Sequence, residues 1–220
     1  MSTAAVICNG EFPGTRRALD MLQEASLVVA CDGAAVKYME WAAGKPEARQ
    51  LPDIVIGDMD SLPPEARKLL GDRVIHVSEQ EHNDQTKAVL HIATEHPEID
   101  TIHIFGATGL REDHTVGNIS LLAEYARMPR LQHLETDIIS DWSHIFVLRS
   151  SCKIHLGKGR TVSFFTPDTT LRVRSKGLEW PLDDVVLDNW WKTTLNRTTA
   201  ETVTLDFSHE SALITVCPFE

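Results

Sequence analysis

Long apolar runs are what this chain most lacks. Across its 220 residues none approaches the ~20 apolar positions that cross a bilayer. Basic residues are also short: 21 Lys and Arg stand against 32 Asp and Glu, for a net charge of −11. Non-specific nucleic-acid binding needs many cations to neutralise phosphates, so neither nucleic acid nor a membrane is an expected partner. Nucleotides are not excluded, because a metal ion can bring phosphates to carboxylates. Cysteine is scarce. Cys8, Cys31, Cys152 and Cys217 are scattered and form no Cys-x-x-Cys pair. A disulfide framework or zinc ribbon is thereby unexpected, and the thiols read as buried and reduced. No basic segment precedes the short apolar stretch near Met1, so no secretory signal is expected and the cytoplasm is the expected compartment. Repeats and low-complexity tracts are missing too. What remains is an ordinary globular composition, long enough for a sizeable core in one large domain or two small ones.

The first two-thirds alternates short apolar runs with helical patterns, the signature of βαβ units. Strands are expected at Ala4–Cys8, Leu27–Cys31, Ile54–Ile56, Val74–Val77, Thr101–Phe105 and Asp137–Ser140. Helices are expected at about Thr15–Gln23, from Asp32-Gly33 to Ala43, after Pro63-Pro64, and near Thr86–Glu95 and Thr115–Arg127. Beyond Trp142 the pattern changes to short, mostly alternating runs at Ile145–Leu148, Lys153–Leu156, Thr161–Phe165, Leu171–Arg174, Thr202–Phe207 and Ala212–Val216. Turn signals separate them, which reads as an antiparallel β domain. The expected fold is therefore α/β: residues 1–141 form a Rossmann-like, mostly parallel sheet with flanking helices. Residues 142–220 form a smaller antiparallel, sandwich-like β domain.

Chemistry gathers in loops that follow the predicted strands, where ligands of open α/β sheets bind. Gly57-Asp58-Met59-Asp60-Ser61 directly follows Ile54-Val55-Ile56. Its two carboxylates, two positions apart, project to the same side of an extended chain. At about 4 Å two such charges repel by roughly 4 kcal/mol at an effective dielectric of 20, so a divalent cation is the economical partner. A solvated turn that caps the next helix is the plainer alternative. Asp32-Gly33-Ala34-Ala35 offers an acid for a ribose hydroxyl or base amine, or simply a helix cap. Asn83-Asp84-Gln85-Thr86-Lys87 opens a helix with a further carboxylate and a lysine one turn on, again with a plain cap as the alternative. Gly106-Ala107-Thr108-Gly109-Leu110-Arg111-Glu112-Asp113-His114 offers backbone N–H groups and a guanidinium to phosphate. Taken singly each loop reads as a cap or a turn. Four of them at the ends of strands in one sheet should converge on one rim.

In these residues the chain resembles the thiamine pyrophosphokinase family. The resemblance is carried by Asp32-Gly33-Ala34-Ala35, Pro52-Asp53, Gly57-Asp58-Met59-Asp60-Ser61, Asp84 with Thr86-Lys87, Arg111 with Asp113-His114, and Asn118. Gly177-Leu178-Glu179-Trp180-Pro181-Leu182 and Asn196 extend it into the second part. The resemblance implies transfer of a diphosphate group from ATP to the hydroxyl of thiamine, giving thiamine diphosphate and AMP. It implies Mg²⁺ on Asp58, Asp60 and Asp84, with Lys87 and Arg111 assisting catalysis. It implies a nucleotide site formed by Asp32, Gly33, Gly57, Thr86, Thr108, Arg111, Asp113 and His114. Trp180, Asn196 and Asn118 would meet thiamine, in a homodimer whose thiamine site lies at the subunit interface. A carboxylate near the alcohol, Asp84 or Asp113, would take its proton.

Departures from the family pattern are equally specific. Leu110 stands where the family usually has a second glycine, Leu195 replaces the serine before the terminal asparagine, and Trp190-Trp191-Lys192 is unusual there. Two other readings stay open beside the leading one. One is a related diphosphokinase or metal-dependent phosphatase, although Asp-x-Asp phosphatases carry their acids after the first strand. The other is a catalytically silent nucleotide- or thiamine-binding regulator, against which the intact Asp58, Asp60 and Asp84 argue.

Overall fold

The computed structural model describes residues 2–219. Five helices and a set of parallel strands alternate through the first part: β1 Thr3–Ile7, α1 Arg16–Glu24, β2 Leu27–Cys31, α2 Ala34–Ala42, β3 Ile54–Gly57, α3 Pro64–Leu70, β4 Val74–His76, α4 Asp84–Glu95, β5 Thr101–Phe105, α5 Glu112–Tyr125 and β6 Glu135–Ile139. β1, β2 and β3 are apolar at successive positions because both of their faces are covered. One face carries a cluster that includes Val6, Ile102, Ile104, Val89, Ile92 and Leu122 under α4 and α5. The other carries Ile7, Phe105, Leu22 and Tyr38 under α1 and α2. Each fully buried Ile, Leu or Phe of this kind contributes about 1.5–3 kcal/mol relative to exposure. Local signals act as their chemistry dictates: Pro64 occupies the first turn of α3, and Asn83 caps α4 by accepting the Thr86 N–H at 3.0 Å.

The second part holds β7 Ser143–Leu148, β8 Cys152–His155, β9 Thr161–Phe165, β10 Val173–Lys176, β11 Asn196–Arg197, β12 Thr202–Phe207 and β13 Leu213–Pro218. These strands do not form a separate body of sheet. β7 pairs antiparallel with β6, so one ten-stranded sheet runs β11-β9-β13-β7-β6-β5-β1-β2-β3-β4. Its β1-to-β4 wing and β5–β6 are parallel; from β7 onward it is antiparallel. A three-stranded sheet, β10-β12-β8, shares an apolar core of Phe164, Val173, Val203, Leu205 and Leu213 with the antiparallel wing. The expected α/β fold with a smaller antiparallel sheet is what the chain adopts. The strand expected at Leu171–Arg174 begins two residues later, because Leu171 is spent on the turn that Asp168 organises. The two-residue strand β11 and the short 3-10 helix Trp190–Thr193 lie in a stretch with no alternating pattern to reveal them.

Candidate active site

β1 is flanked by β2 on one side and β5 on the other. Strand order therefore reverses at β1, and loops at its carboxyl end must part to leave a crevice. Two adjoining clefts occupy that rim. The first, of 300 Å³, is lined by Asp32, Asp58, Asp60, Asp84, Ser61 and Asn83 above Cys8 and Cys31. The second, of 270 Å³, is lined by Gly10, Gly106, Gly109, Leu110 and Arg111. Asn9, His114 and Asn118 border both.

Asp32, Asp58 and Asp60 each present a carboxylate oxygen within 4.8 Å of the others. The cluster differs from the Asp58, Asp60 and Asp84 set implied by resemblance: Asp32 takes the third place and Asp84 lies beside it. Asp32 does not cap α2 through its side chain. It is 4% exposed, its Oδ2 accepts the Ser61 N–H at 3.1 Å, and its backbone is left-handed at φ 46°. Its Oδ1 is buried with no hydrogen-bond partner. Met59, between the other two acids, is also left-handed at φ 67°, which turns Asp58 and Asp60 back over the strand end. Gly57 has φ 155°, and a Cβ there would lie 3.0 Å from Asp84 Oδ2 and 3.1 Å from Asp32 Cβ, so glycine lets these acids close over β3 without being pushed apart. Gly33 donates its N–H to Ser61 Oγ at 3.2 Å, tying the Asp32 loop to the Asp58–Ser61 loop.

The electrostatics follow from this crowding. Gln80 donates to Asp58 Oδ2 at 3.1 Å, and that bond, with those from Asp60, holds Asp58 below the usual carboxylate range. The hydrogen bond shared with Asp58, and then Asp58's charge, push Asp60 above it. Burial pushes Asp84 up, only partly offset by the Lys87 ammonium, which lies 3.1 Å away on a side chain 4% exposed. A buried carboxylate oxygen with no partner, inside a cluster of three acids, fits a divalent cation: hard oxygen ligands with no cation among them.

Thr86, expected at the nucleotide, and Lys87, expected to assist catalysis, face inward instead. Thr86 is buried and its hydroxyl is 2.9 Å from the Tyr125 hydroxyl, because the second residue of α4's interior side points at α5. Lys87 meets Asp84 rather than open cleft. Asn118 joins the rim instead of an aromatic site. It donates to the Ala107 carbonyl at 2.8 Å and accepts from Asn83 Nδ2 at 2.9 Å, so it fastens the glycine loop to the cap of α4. Thr108 meets the rim through its carbonyl, which accepts the Glu11 N–H at 2.9 Å.

In the glycine loop, a Cβ on Gly10 would fall 2.3 Å from the Gly106 carbonyl oxygen, so the two loops touch main chain to main chain. Arg111 and Asp113 form a two-pronged pair, with Nε to Oδ1 at 3.1 Å, on exposed side chains. That bond and the N–H of His114 hold Asp113 below the usual range. Leu110, in the family's glycine position, adopts φ 66°, the left-handed conformation a glycine would take without strain. Trp180 and Asn196 lie elsewhere, where Asn196 Nδ2 donates to the Trp180 carbonyl at 2.7 Å. Asn196 sits on β11, eight ladder steps from β3, or roughly 38 Å along the sheet at ~4.8 Å per step. Of the residues expected at thiamine, Asn118 therefore lies on the rim with those expected at the nucleotide, while Trp180 and Asn196 form a separate group in the chain.

Three residues at the rim went unread in the sequence: Asn9, Gln80, and Lys37, whose ammonium bonds the Asn9 and Gly10 carbonyls at 2.8 and 2.7 Å. Asn9-Gly10 follows a strand and carried that signal. Gln80 and Lys37 reach the rim only through folding and carried none.

An open, mostly parallel sheet with an acidic crevice at its switch point, extended by antiparallel strands, places the chain among the α/β proteins. The profile for "Thiamin pyrophosphokinase, catalytic domain" matches residues 18–133, and that for "Thiamin pyrophosphokinase, substrate-binding domain" matches residues 145–214. The chain belongs to the thiamin pyrophosphokinase family, a family of enzymes. It is similar to thiamine pyrophosphokinase 1 of Oryza sativa subsp. japonica, 27% identical over 208 residues that cover 82% of this chain and 74% of the rice protein. Its fold is similar to that of thiamine pyrophosphokinase from Bacillus subtilis, with a TM-score of 0.76 and 21% identity over all of both chains. Yeast thiamin pyrophosphokinase gives a TM-score of 0.80 at 17% identity, covering 99% of this chain and 86% of that one.

Proposed function

We propose that this chain transfers a diphosphate group from ATP to the hydroxyl of thiamine, releasing AMP, with Mg²⁺ held at the strand-end carboxylates. The observation that carries the reading is the convergence of Asp32, Asp58 and Asp60 around a buried carboxylate oxygen without a partner, in a chain of this family. Asp32, Asp58 and Asp60 would hold the ion, with Asp84 beside them. When bound, Mg²⁺ supplies charge neutralisation for the triphosphate and for the charge that gathers on AMP as it leaves. The glycine loop offers N–H groups to phosphate oxygens at the start of α5, where the helix dipole favours negative charge. Arg111 can exchange its exposed Asp113 partner for a phosphate oxygen. Lys87 stays with Asp84 and holds that carboxylate in place.

In the transfer, the thiamine hydroxyl oxygen bonds to the β-phosphorus as the bond from that phosphorus to the AMP oxygen breaks. The hydroxyl proton passes to a carboxylate. Asp84 lines the acidic cleft whereas Asp113 lines neither cleft, which supports Asp84 as the acceptor. Thiamine is cationic and aromatic, and the exposed Trp180 ring offers stacking with a cation–π attraction of about 0.5–2 kcal/mol. Because Trp180 and the carboxylates belong to opposite wings of one sheet, a second chain must bring its Trp180 to this rim. The active form is then a homodimer with thiamine at the interface. The four free thiols suit a reducing compartment, and the cytoplasm is the proposed one.

The test is product analysis with purified protein, ATP, Mg²⁺ and thiamine. AMP with thiamine diphosphate is the expected outcome. ADP with thiamine monophosphate would replace it with a single-phosphate transfer, and free phosphate with a phosphatase. Binding without any product would indicate a silent regulator.

A further inference from the structure

The residues 178–180 lie antiparallel to 196–198. Leu178 bridges Thr198, and the Glu179 N–H bonds the Arg197 carbonyl at 2.8 Å. At Trp180 the main-chain pairing stops and a side chain takes over. Asn196 Oδ1 accepts the Trp180 N–H at 3.3 Å, and Asn196 Nδ2 donates to the Trp180 carbonyl at 2.7 Å. The carboxamide thus stands in for a peptide unit, making both bonds of a ladder rung. The same Oδ1 also accepts the Arg197 N–H at 2.8 Å. Asn196 is 4% exposed, and one N–H is all its amide has left to give. Trp180, by contrast, is 55% exposed with both its backbone groups satisfied.

The preceding turn explains how Asn196 reaches this place. Leu195 is left-handed at φ 55°, its N–H is held by Ser163 Oγ at 2.9 Å, and its side chain is 72% exposed. That reversal carries the chain out of the 3-10 helix and turns Asn196 inward.

We infer that Asn196 is a positioning residue: it clips the backbone of Trp180 so that the indole is presented as a preformed platform for a flat cationic ring. This deepens the proposed function and rests on it for the identity of the ring. The resemblance implies that Asn196 meets thiamine; its carboxamide is instead committed to the chain. Preorganisation of this kind raises affinity by removing the ordering cost at binding. It leaves the phosphate chemistry at the other wing untouched.

A double-mutant cycle tests it. Asn196→Ala should raise the thiamine KM about tenfold, as expected for loss of a hydrogen-bonded pair, with kcat and the ATP KM within about twofold. In a Trp180→Ala background the same substitution should have no further effect on the thiamine KM, since its route of action is gone. Effects that multiply in the double mutant would overturn the inference and make Asn196 a direct contact. Asn196→Asp keeps the acceptor for both N–H groups but sets a buried carboxylate oxygen against the Trp180 carbonyl that Nδ2 serves, so its rise should be at least that of the alanine variant. Hydrogen exchange decides the claim without turnover: the peptide containing Trp180 should lose protection in Asn196→Ala while β9 keeps its own. Unchanged protection would overturn the positioning role. Absence of thiamine diphosphate from the wild-type protein would strike the function alone, leaving the exchange result to judge the clip.

Discussion

The two wings of the large sheet build their sites in opposite ways. In the parallel wing the chemistry is in side chains: Asp32, Asp58 and Asp60 come from the exits of neighbouring strands, and their mutual repulsion is held in place by Gln80, Ser61 and Lys87 with Asp84. In the antiparallel wing the groups that matter are in the main chain, where Asn196 and Ser163 fix the backbone at Trp180 and Leu195 and leave apolar side chains outside. The first arrangement concentrates charge at the price of crowding. The second concentrates order. Loss of a carboxylate should therefore abolish chemistry, whereas loss of a clip should weaken binding in a graded way.

The largest expected effect falls on the acids. Asp58→Asn and Asp60→Asn should each lower turnover at least about 100-fold, since supporting residues of metal sites alone carry 10–100-fold. Circular dichroism should show the fold intact; full turnover in both would remove the metal assignment and level the two wings. Next is Lys87→Met. It leaves Asp84 half-buried without its cation, so stability should fall by about 2–3 kcal/mol in urea titration, with turnover falling as well. An unchanged midpoint would mean that the crowding is not held by this pair.

The seam between the wings gives a smaller effect. Asp137 on β6 bonds His103 on β5 and His144 on β7, both at 2.8 Å. Burial alone would raise its pKa, but the two histidine bonds outweigh that and set it below the usual range. A depressed carboxylate stabilises the fold above its unfolded pKa of about 3.9 and loses that contribution as pH falls through the folded value. Asp137→Asn should cost about 1–3 kcal/mol at neutral pH and flatten the stability curve below about pH 4. A parallel pair of curves would show that the seam does not depend on this charge. The smallest effects belong to Leu110→Gly and Leu195→Gly. Relief of the left-handed backbone, worth about 1–2 kcal/mol, is largely offset by glycine's extra freedom when unfolded, so melting temperatures should move little. A large loss at Leu195 would mean that its side chain packs in a partner.

How far the sequence foretold this depends on the same contrast. Apolar runs with β-branched residues revealed the parallel strands, and Leu27–Cys31 and Thr101–Phe105 have the expected bounds. Asp58 and Asp60 were legible because a strand end projects its loop to the rim whatever the strand order. That Asp32 rather than Asp84 completes the cluster was not legible, since it depends on Gly57 and on β2 lying beside β3. The inward turn of Thr86 follows from the packing of α4 against Tyr125, which no local pattern shows. Continuity of the sheet through β6 and β7 was hidden by a change of hydrophobic pattern at Trp142, where pairing goes on but parallel order ends. The Asn196 clip lies in a stretch with no strand periodicity at all.

Subunit mixing tests most directly whether the two wings meet across chains. Asp58→Asn and Trp180→Ala chains, each deficient alone, would be unfolded together and refolded with ATP, Mg²⁺ and thiamine present. If the rim of one chain takes the Trp180 of another, every mixed dimer holds one intact site. Thiamine diphosphate formation should then recover to about a quarter of the wild-type rate under random two-fold pairing. Activity that stays at the sum of the two separate variants would contradict the shared site.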